Sequence, residues 1–148
     1  MITLRNTIKI KATPDEIFKW LKNLDKHYKE WHPDHVEWIN ETGNLDEGNI
    51  AYYEEYLHGE LHRSRAKITE VEENKSIEFM NLFPMGILCP KGSFIIERKG
   101  DDCIFTATLS FRFGWFFSRF AKDRIKAIEI HMKEEGENLR RLLERKEV

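Results

Sequence analysis

Apolar side chains in the first ten residues alternate with polar ones. Ile2 and Leu4, then Ile8 and Ile10, fall on one face of "ITLRNTIKI", the period-2 spacing of a half-buried strand. The period then changes. In "ATPDEIFKWLKN", Ile17, Phe18 and Leu21 gather on one side of a short helix. Thr13 is a suitable N-cap there, Pro14 fits the first helical position, and Glu16 completes a capping box. "LDKHYKEWHPDH" predicts a second short helix or turn, stopped by Pro33 because a residue before proline avoids the helical region. Strand signals return in "HVEWINET", "NIAYYEEYLH", "ELHRSRAKITEVEE", "SIEFMNLF", "GSFIIERKG" and "DCIFTATLSFRF". The second and third of these are joined at Gly59, the fourth follows Asn74, and the fifth ends in a Gly-Asp turn. With the first strand they make about seven antiparallel strands. No long helix interrupts the later ones, so the sheet is a meander and not a parallel one.

From about Phe116 onward the period is helical. Phe117, Ala121, Ile125, Ile128, Met132, Leu139, Leu142 and Leu143 share a face at about 100° per residue. That face must be buried on the sheet. One helix cannot cover seven flat strands, so the sheet must curl round it, which tends to leave a cavity between them. The predicted fold is α+β: a curved seven-stranded antiparallel sheet wrapped around a long C-terminal helix, with two short helices after strand 1, residues 1–148 forming a single domain.

Composition narrows the function. A chain of 148 residues, 41% hydrophobic and 12% aromatic, fits one packed core. The net charge of -2, with 34% charged residues, gives a mixed surface, and no basic block points to nucleic acid or anionic lipid. No apolar run approaches the roughly 20 residues of a membrane span, and the alternating N-terminus lacks the apolar core of a signal peptide. Cys89 and Cys103 form no spaced motif. They read as free thiols of a reduced, cytoplasmic protein, and they exclude a cysteine-based zinc site.

"EIHMKEEGENL", residues 129–139, interrupts the pattern. Glu135 is seven residues from both Ile128 and Leu142, so it lies on the buried stripe, with His131 at its edge. Residues at i and i+4 can reach one point, and an imidazole with a carboxylate is a donor pair for a divalent metal. A bare buried carboxylate is costly by several kcal/mol or more and takes up a proton or finds a cation. Pairing with Arg124, Arg63 or Arg65 is the plainer expectation. Gly136 lets another segment come close to this turn. Two more histidines, His32 and His35, flank Pro33 in "WHPDH". In "AYYEEYLHGE" alternation puts Tyr53, Glu55 and Leu57 on one strand face and Tyr52, Glu54 and Tyr56 on the other, so one glutamate points inward. His27, His58 and His62 read as exposed.

The order of elements resembles the START-related helix-grip (SRPBCC, polyketide cyclase-like) superfamily. The resemblance is carried by "IKIKATPDEIFKWLKNLDKHYKEWHP", "KITEVEENKSIEF" and the final "GENLRRLLE". More narrowly, "YKEWHPDH" and "HMKEE" resemble the metal-binding segments of the zinc-dependent diacetylphloroglucinol and phloretin hydrolases. That resemblance implies a metal held by His131 and Glu135, by His32 or His35, and by a strand glutamate: Glu55 first, Glu54 second. The chain is much shorter than those hydrolases, so the substrate does not carry over.

Two histidines and two carboxylates favour Zn²⁺, with Fe²⁺, Mn²⁺ or Ni²⁺ as alternatives. The resemblance implies hydrolysis of a carbon–carbon bond next to a ketone on a phenolic, polyketide-like compound. Tyr52, Tyr53, Tyr56 or the spare histidine would supply a proton, with Tyr53 and His35 foremost. The competing expectation is a metal-free binder of a hydrophobic or aromatic small molecule, or a polyketide cyclase-like enzyme using acid–base residues. Its cavity would be lined by Phe79, Met80, Phe83, Met85, Phe94, Phe105 and Phe111. No nucleic-acid or membrane partner is expected.

Overall fold

The computed structural model describes residues 1–112 and 121–144. In chain order the elements are β1 (Ile2–Ile10), α1 (Pro14–Lys22), α2 (Leu24–Trp31), β2 (His35–Asn40), β3 (Ile50–Leu57), β4 (Glu60–Glu72), β5 (Ser76–Asn81), α3 (Met85–Leu88), β6 (Lys91–Lys99), β7 (Asp102–Phe111) and α4 (Ala121–Glu144). All strand pairs are antiparallel, in the order β1-β7-β6-β5-β4-β3-β2. The meander is as the alternation predicts, with β1 inserted beside β7 at one edge.

Local chemistry sets the turns. The β3–β4 hairpin closes through His58 and Gly59 alone, with Leu57 paired to Glu60. Both turn residues have positive φ, 52° and 74°, as a two-residue turn of the I′ type requires. Thr13 caps α1: its Oγ1 accepts from the Glu16 N–H at 3.4 Å and donates to the Glu16 carboxylate at 2.9 Å. Pro33 ends α2 at Trp31, and His32 is already extended, with φ -154° and ψ 140°.

The helix α4 lies in the curl of the sheet. Met132, Leu139 and Leu143 are buried, each contributing about 1.5–3 kcal/mol. Gly136 is also buried, and a Cβ built there would stand 2.7 Å from Asn6 Nδ2 and 3.5 Å from Ile8 Cγ2. The missing side chain leaves room for the Asn6 amide where α4 lies against β1. Helices α1 and α2 close one end of the grip with Ile17, Trp20, Leu21, Leu24, Tyr28 and Trp31, all buried. Trp31 packs edge-on to Trp20 at 5.2 Å and against Phe94 at 5.8 Å between ring centroids.

Two expectations need revision, and one falls outside the described residues. The expected start of the last helix near Phe116, and Phe117 on its stripe, lie outside the described residues. Strand β5 stops at Asn81 and does not run on to Phe83. The Asn81 N–H donates to Pro90 O and its side-chain Nδ2 to Cys89 O, which turns the chain into the short α3 that periodicity could not show in four residues. As a result Phe83 is 82% and Met80 41% exposed, outside the cavity, while Phe105 is packed in the core.

Gly92 on β6 has no room for a side chain: a Cβ would sit 2.5 Å from Phe79 Cζ and 2.8 Å from Leu109 Cδ2. Gly92→Ala should therefore destabilise the fold by about 1–3 kcal/mol. Urea unfolding would measure this, and an unchanged midpoint would contradict the packing described.

Candidate functional site

Four side chains from three elements converge at the α2 end of the grip. His35 opens β2 and is the direct cross-strand partner of Glu55 on β3. His131 and Glu135 come from successive turns of α4. The His35 Nε2 atom is 2.8 Å from Glu135 Oε2, 3.6 Å from Glu55 Oε2 and 3.3 Å from His131 Nε2. His131 Nε2 is 3.4 Å from both Glu55 Oε2 and Glu135 Oε2. Both histidines are buried and the two glutamates partly so.

The orientation of His35 is fixed from outside. Its Nδ1 lies 2.7 Å from the Tyr28 carbonyl, which only accepts, so Nδ1 carries the proton and Nε2 faces the centre. The Tyr28 ring stacks on the His35 ring at 3.9 Å and 3°, and the Tyr28 hydroxyl donates to Glu55 Oε2 at 3.2 Å. One residue of α2 thus positions two of the four. Trp31 adds a third tie, because its indole N–H donates to the Glu135 carbonyl at 2.9 Å and its own carbonyl accepts from Asn138 Nδ2 at 2.9 Å.

The electrostatics of the group are unusual. Burial pushes the Glu135 carboxyl upward, but hydrogen bonds from His131 and His35 outweigh it and hold the carboxyl below the usual range. Burial likewise pushes His131 down, and the Glu135 and Glu55 carboxylates reverse this and raise it. Protons on both Nε2 atoms would point at each other across 3.3 Å. A divalent cation there would remove that conflict by taking both imidazole lone pairs and both carboxylates. Donors held about 2.0–2.1 Å from a tetrahedral ion lie about 3.3–3.4 Å from one another, and the five distances span 2.8–3.6 Å.

His32 is outside the group of four, although its ring lies 4.1 Å from that of His131. Its Nδ1 accepts the Asp34 N–H at 2.9 Å and its Nε2 meets Glu134 Oε1 at 3.1 Å, so both ring nitrogens are occupied. It does lie within 4.8 Å of Asp34 and His131, the other group of potential ligands among the described residues. Glu54 points to the opposite face of β3, where it accepts from the Tyr52 hydroxyl and meets Arg63 at 3.6 Å. The arginines expected to neutralise Glu135 are elsewhere: Arg124 with Glu60, Arg63 with Glu54, Arg65 with Glu41. Tyr56 is 44% exposed, away from the site.

Beside the four residues lies a cavity of about 120 Å³, with Glu55, His131 and Glu135 in its wall. The rest of its lining is mostly apolar and includes Trp38, Leu57, Phe79, Phe94, Phe111 and Met132. Tyr53 lines it as well, and its hydroxyl donates to Asn81 Oδ1 at 2.7 Å. Burial raises the Tyr53 phenol strongly, with the Glu55 carboxylate adding to it. Cys89, also in the wall, is pushed up to about 12 by burial, so it is an inert thiol. The positions of Tyr28, Trp31 and Asn81 around the site were not expected, because aromatic and amide residues carry no spacing signal of their own.

A curved sheet gripping one long helix, with two short helices after β1 and an apolar cavity between the layers, defines the helix-grip class. Within it, the chain belongs to the polyketide cyclase / dehydrase and lipid transport family, whose model matches residues 1–144. Solved structures share the fold at low identity. The ZhuI aromatase/cyclase from Streptomyces sp. R1128 is 12% identical with a TM-score of 0.78, over 99% of this chain and 96% of that one. TTHA0849 from Thermus thermophilus is 15% identical, TM-score 0.78, over 95% of each chain. Ara h 8.0201 is 14% identical, TM-score 0.72, over 96% and 97%. No curated protein is similar to the chain in sequence.

Tyr53→Phe would leave the Asn81 side-chain oxygen Oδ1 in the cavity wall without the Tyr53 donor. The expected cost is about 1–3 kcal/mol of stability, read by denaturant unfolding; no loss would mean the hydroxyl is not part of the wall's hydrogen bonding.

Proposed function

We propose that this domain binds a small apolar compound in its cavity beside a divalent metal ion, most suitably Zn²⁺, held by His35, Glu55, His131 and Glu135. The observation that carries the reading is the closeness of their four donor atoms, with the five distances that involve a histidine nitrogen spanning 2.8–3.6 Å. Family membership supports the ligand-binding part, since the family description covers cyclases, dehydrases and lipid transport.

In this reading each residue has a defined task. His35 offers Nε2 because Tyr28 holds the proton on Nδ1. Glu55 offers Oε2 while accepting from Tyr28, and Glu135 offers Oε2 one helical turn after His131. Zinc in such a site would lower the pKa of a bound water toward about 7 and polarise a carbonyl. The apolar wall would orient an aromatic compound so that its oxygen faces Glu55, His131 and Glu135. The finer reading is hydrolysis of a carbon–carbon bond beside a ketone on an acyl-phenol. It rests on the likeness of "YKEWHPDH" and "HMKEE" to the zinc-dependent hydrolases. Tyr53, hydrogen-bonded to Asn81, serves the cavity wall in this account, and His35 serves the metal.

A second reading is favoured by the aromatase/cyclase neighbour. Here the cavity holds a hydrophobic compound without metal, and the His–Glu group acts as binder or acid–base pair in cyclase-like chemistry.

Protein purified without chelator should contain about one zinc per chain by elemental analysis. Glu135→Gln and His131→Ala should each weaken zinc binding by more than the roughly 10–100-fold that loss of an outer partner costs, while His32→Ala should bind zinc nearly as wild type. Wild-type protein that neither contains nor takes up zinc would leave the second reading standing. Zinc-dependent cleavage of an acyl-phenol, stopped by chelator and by Glu135→Gln, would separate a catalytic centre from a structural one.

A further inference from the structure

Beyond the cavity lies a second chamber of about 110 Å³, lined by residues of the β3–β4 hairpin, α3, the end of β7 and the start of α4. Leu57, Met85, Phe111 and Ile128 line both spaces, so the two share an apolar boundary. Their polar character differs. The inner wall carries the glutamates of the site. The outer chamber is lined by two arginines, Arg112 and Arg124, and two histidines, His58 and His62. Among its described lining residues the single carboxylate is Glu60, which reaches Arg124 only at 4.0 Å and His62 at 4.0 Å. The formal charge of its described lining residues is positive, in a chain whose net charge is -2.

The spacing is set by α4. Arg124 precedes His131 by seven residues, about two turns and roughly 10 Å along the helix. A linear molecule filling both chambers would have one end near the His–Glu group and the other at the arginines. Arginine forks bind carboxylate, sulfonate and phosphate oxygens in pairs.

We propose that the outer chamber is a subsite for the anionic end of an amphipathic ligand whose apolar body, about 8–10 carbon atoms long, lies across the shared boundary into the inner cavity. The proposal rests on the reading that the cavity binds small apolar molecules, and it is independent of the metal. Glu60 acts on the subsite as a competing anion.

Isothermal titration calorimetry of chelator-treated full-length protein, with decanoate, decyl phosphate and 1-decanol as probes, tests it. Decanoate should bind with a stoichiometry of one and about tenfold more tightly than 1-decanol, and the difference should shrink at high salt, as for exposed charges. Arg112→Gln with Arg124→Gln should abolish the difference while leaving 1-decanol unchanged, which also shows that the variant is folded. Glu60→Gln should tighten decanoate binding by a few-fold. A preference for decyl phosphate over decanoate would assign the subsite to a phosphate ester, and the reverse to a carboxylic acid. Equal affinities for decanoate and 1-decanol, or a preference that survives the double substitution, would overturn the subsite alone. Failure of all three probes to bind would overturn the cavity reading together with it.

Discussion

The packing of α4 against β1, closest at Gly136, places the helical turn that carries two of the four donors. A methyl group there would stand 2.7 Å from the Asn6 side-chain nitrogen, which would have to turn aside, and in ordinary contact with Ile8. Because Glu135 is the adjacent residue and His131 lies one turn before it, this contact also sets how far the two donors project towards β2 and β3. Trp31 acts on the same turn from the other side by holding the Glu135 carbonyl. Glycine in a helix costs roughly 1 kcal/mol relative to alanine, and here the close packing it permits offsets that cost.

The site is built in two layers. The inner layer is four donors with mismatched protonation demands. The outer layer is α2, which supplies a carbonyl, a hydroxyl, a stacked ring and an indole from two residues, Tyr28 and Trp31. Rigid elements hold every donor: an edge strand, its neighbour and a long helix. Such an arrangement restricts each side chain to few rotamers before any ligand arrives. The family description spans binders and enzymes, and the fold does not choose between them.

Much of this was legible in the sequence, for stated reasons. Alternation with a period of two marked the strands, and the apolar stripe of Ile128, Met132, Leu139 and Leu143 marked the helix that they grip. Glu135 betrayed itself by occupying a stripe position, and alternation paired Glu55 with Tyr53 and Leu57 on one face. The choice between His32 and His35 was not legible. It depends on His35 being the cross-strand partner of Glu55, with a bulge just beyond it, and on both nitrogens of His32 finding nearby partners. Register and bulges have no signature in a single sequence. The exposure of Phe83 was misread for a similar reason: apolar character alone does not reveal that Asn81 turns the chain outward.

The four donors are also far apart along the chain. His35 and Glu55 are brought together by one strand pairing, but His131 and Glu135 lie on an element about a hundred residues later. During synthesis the first two emerge and can pair while the centre remains half-built. It is completed only when α4 docks, among the most long-range contacts in the molecule. The unfolded chain therefore keeps only the adjacent His–Glu pair of α4. Any ligand that needs all four groups recognises the finished fold and adds its binding free energy to the stability of that state alone.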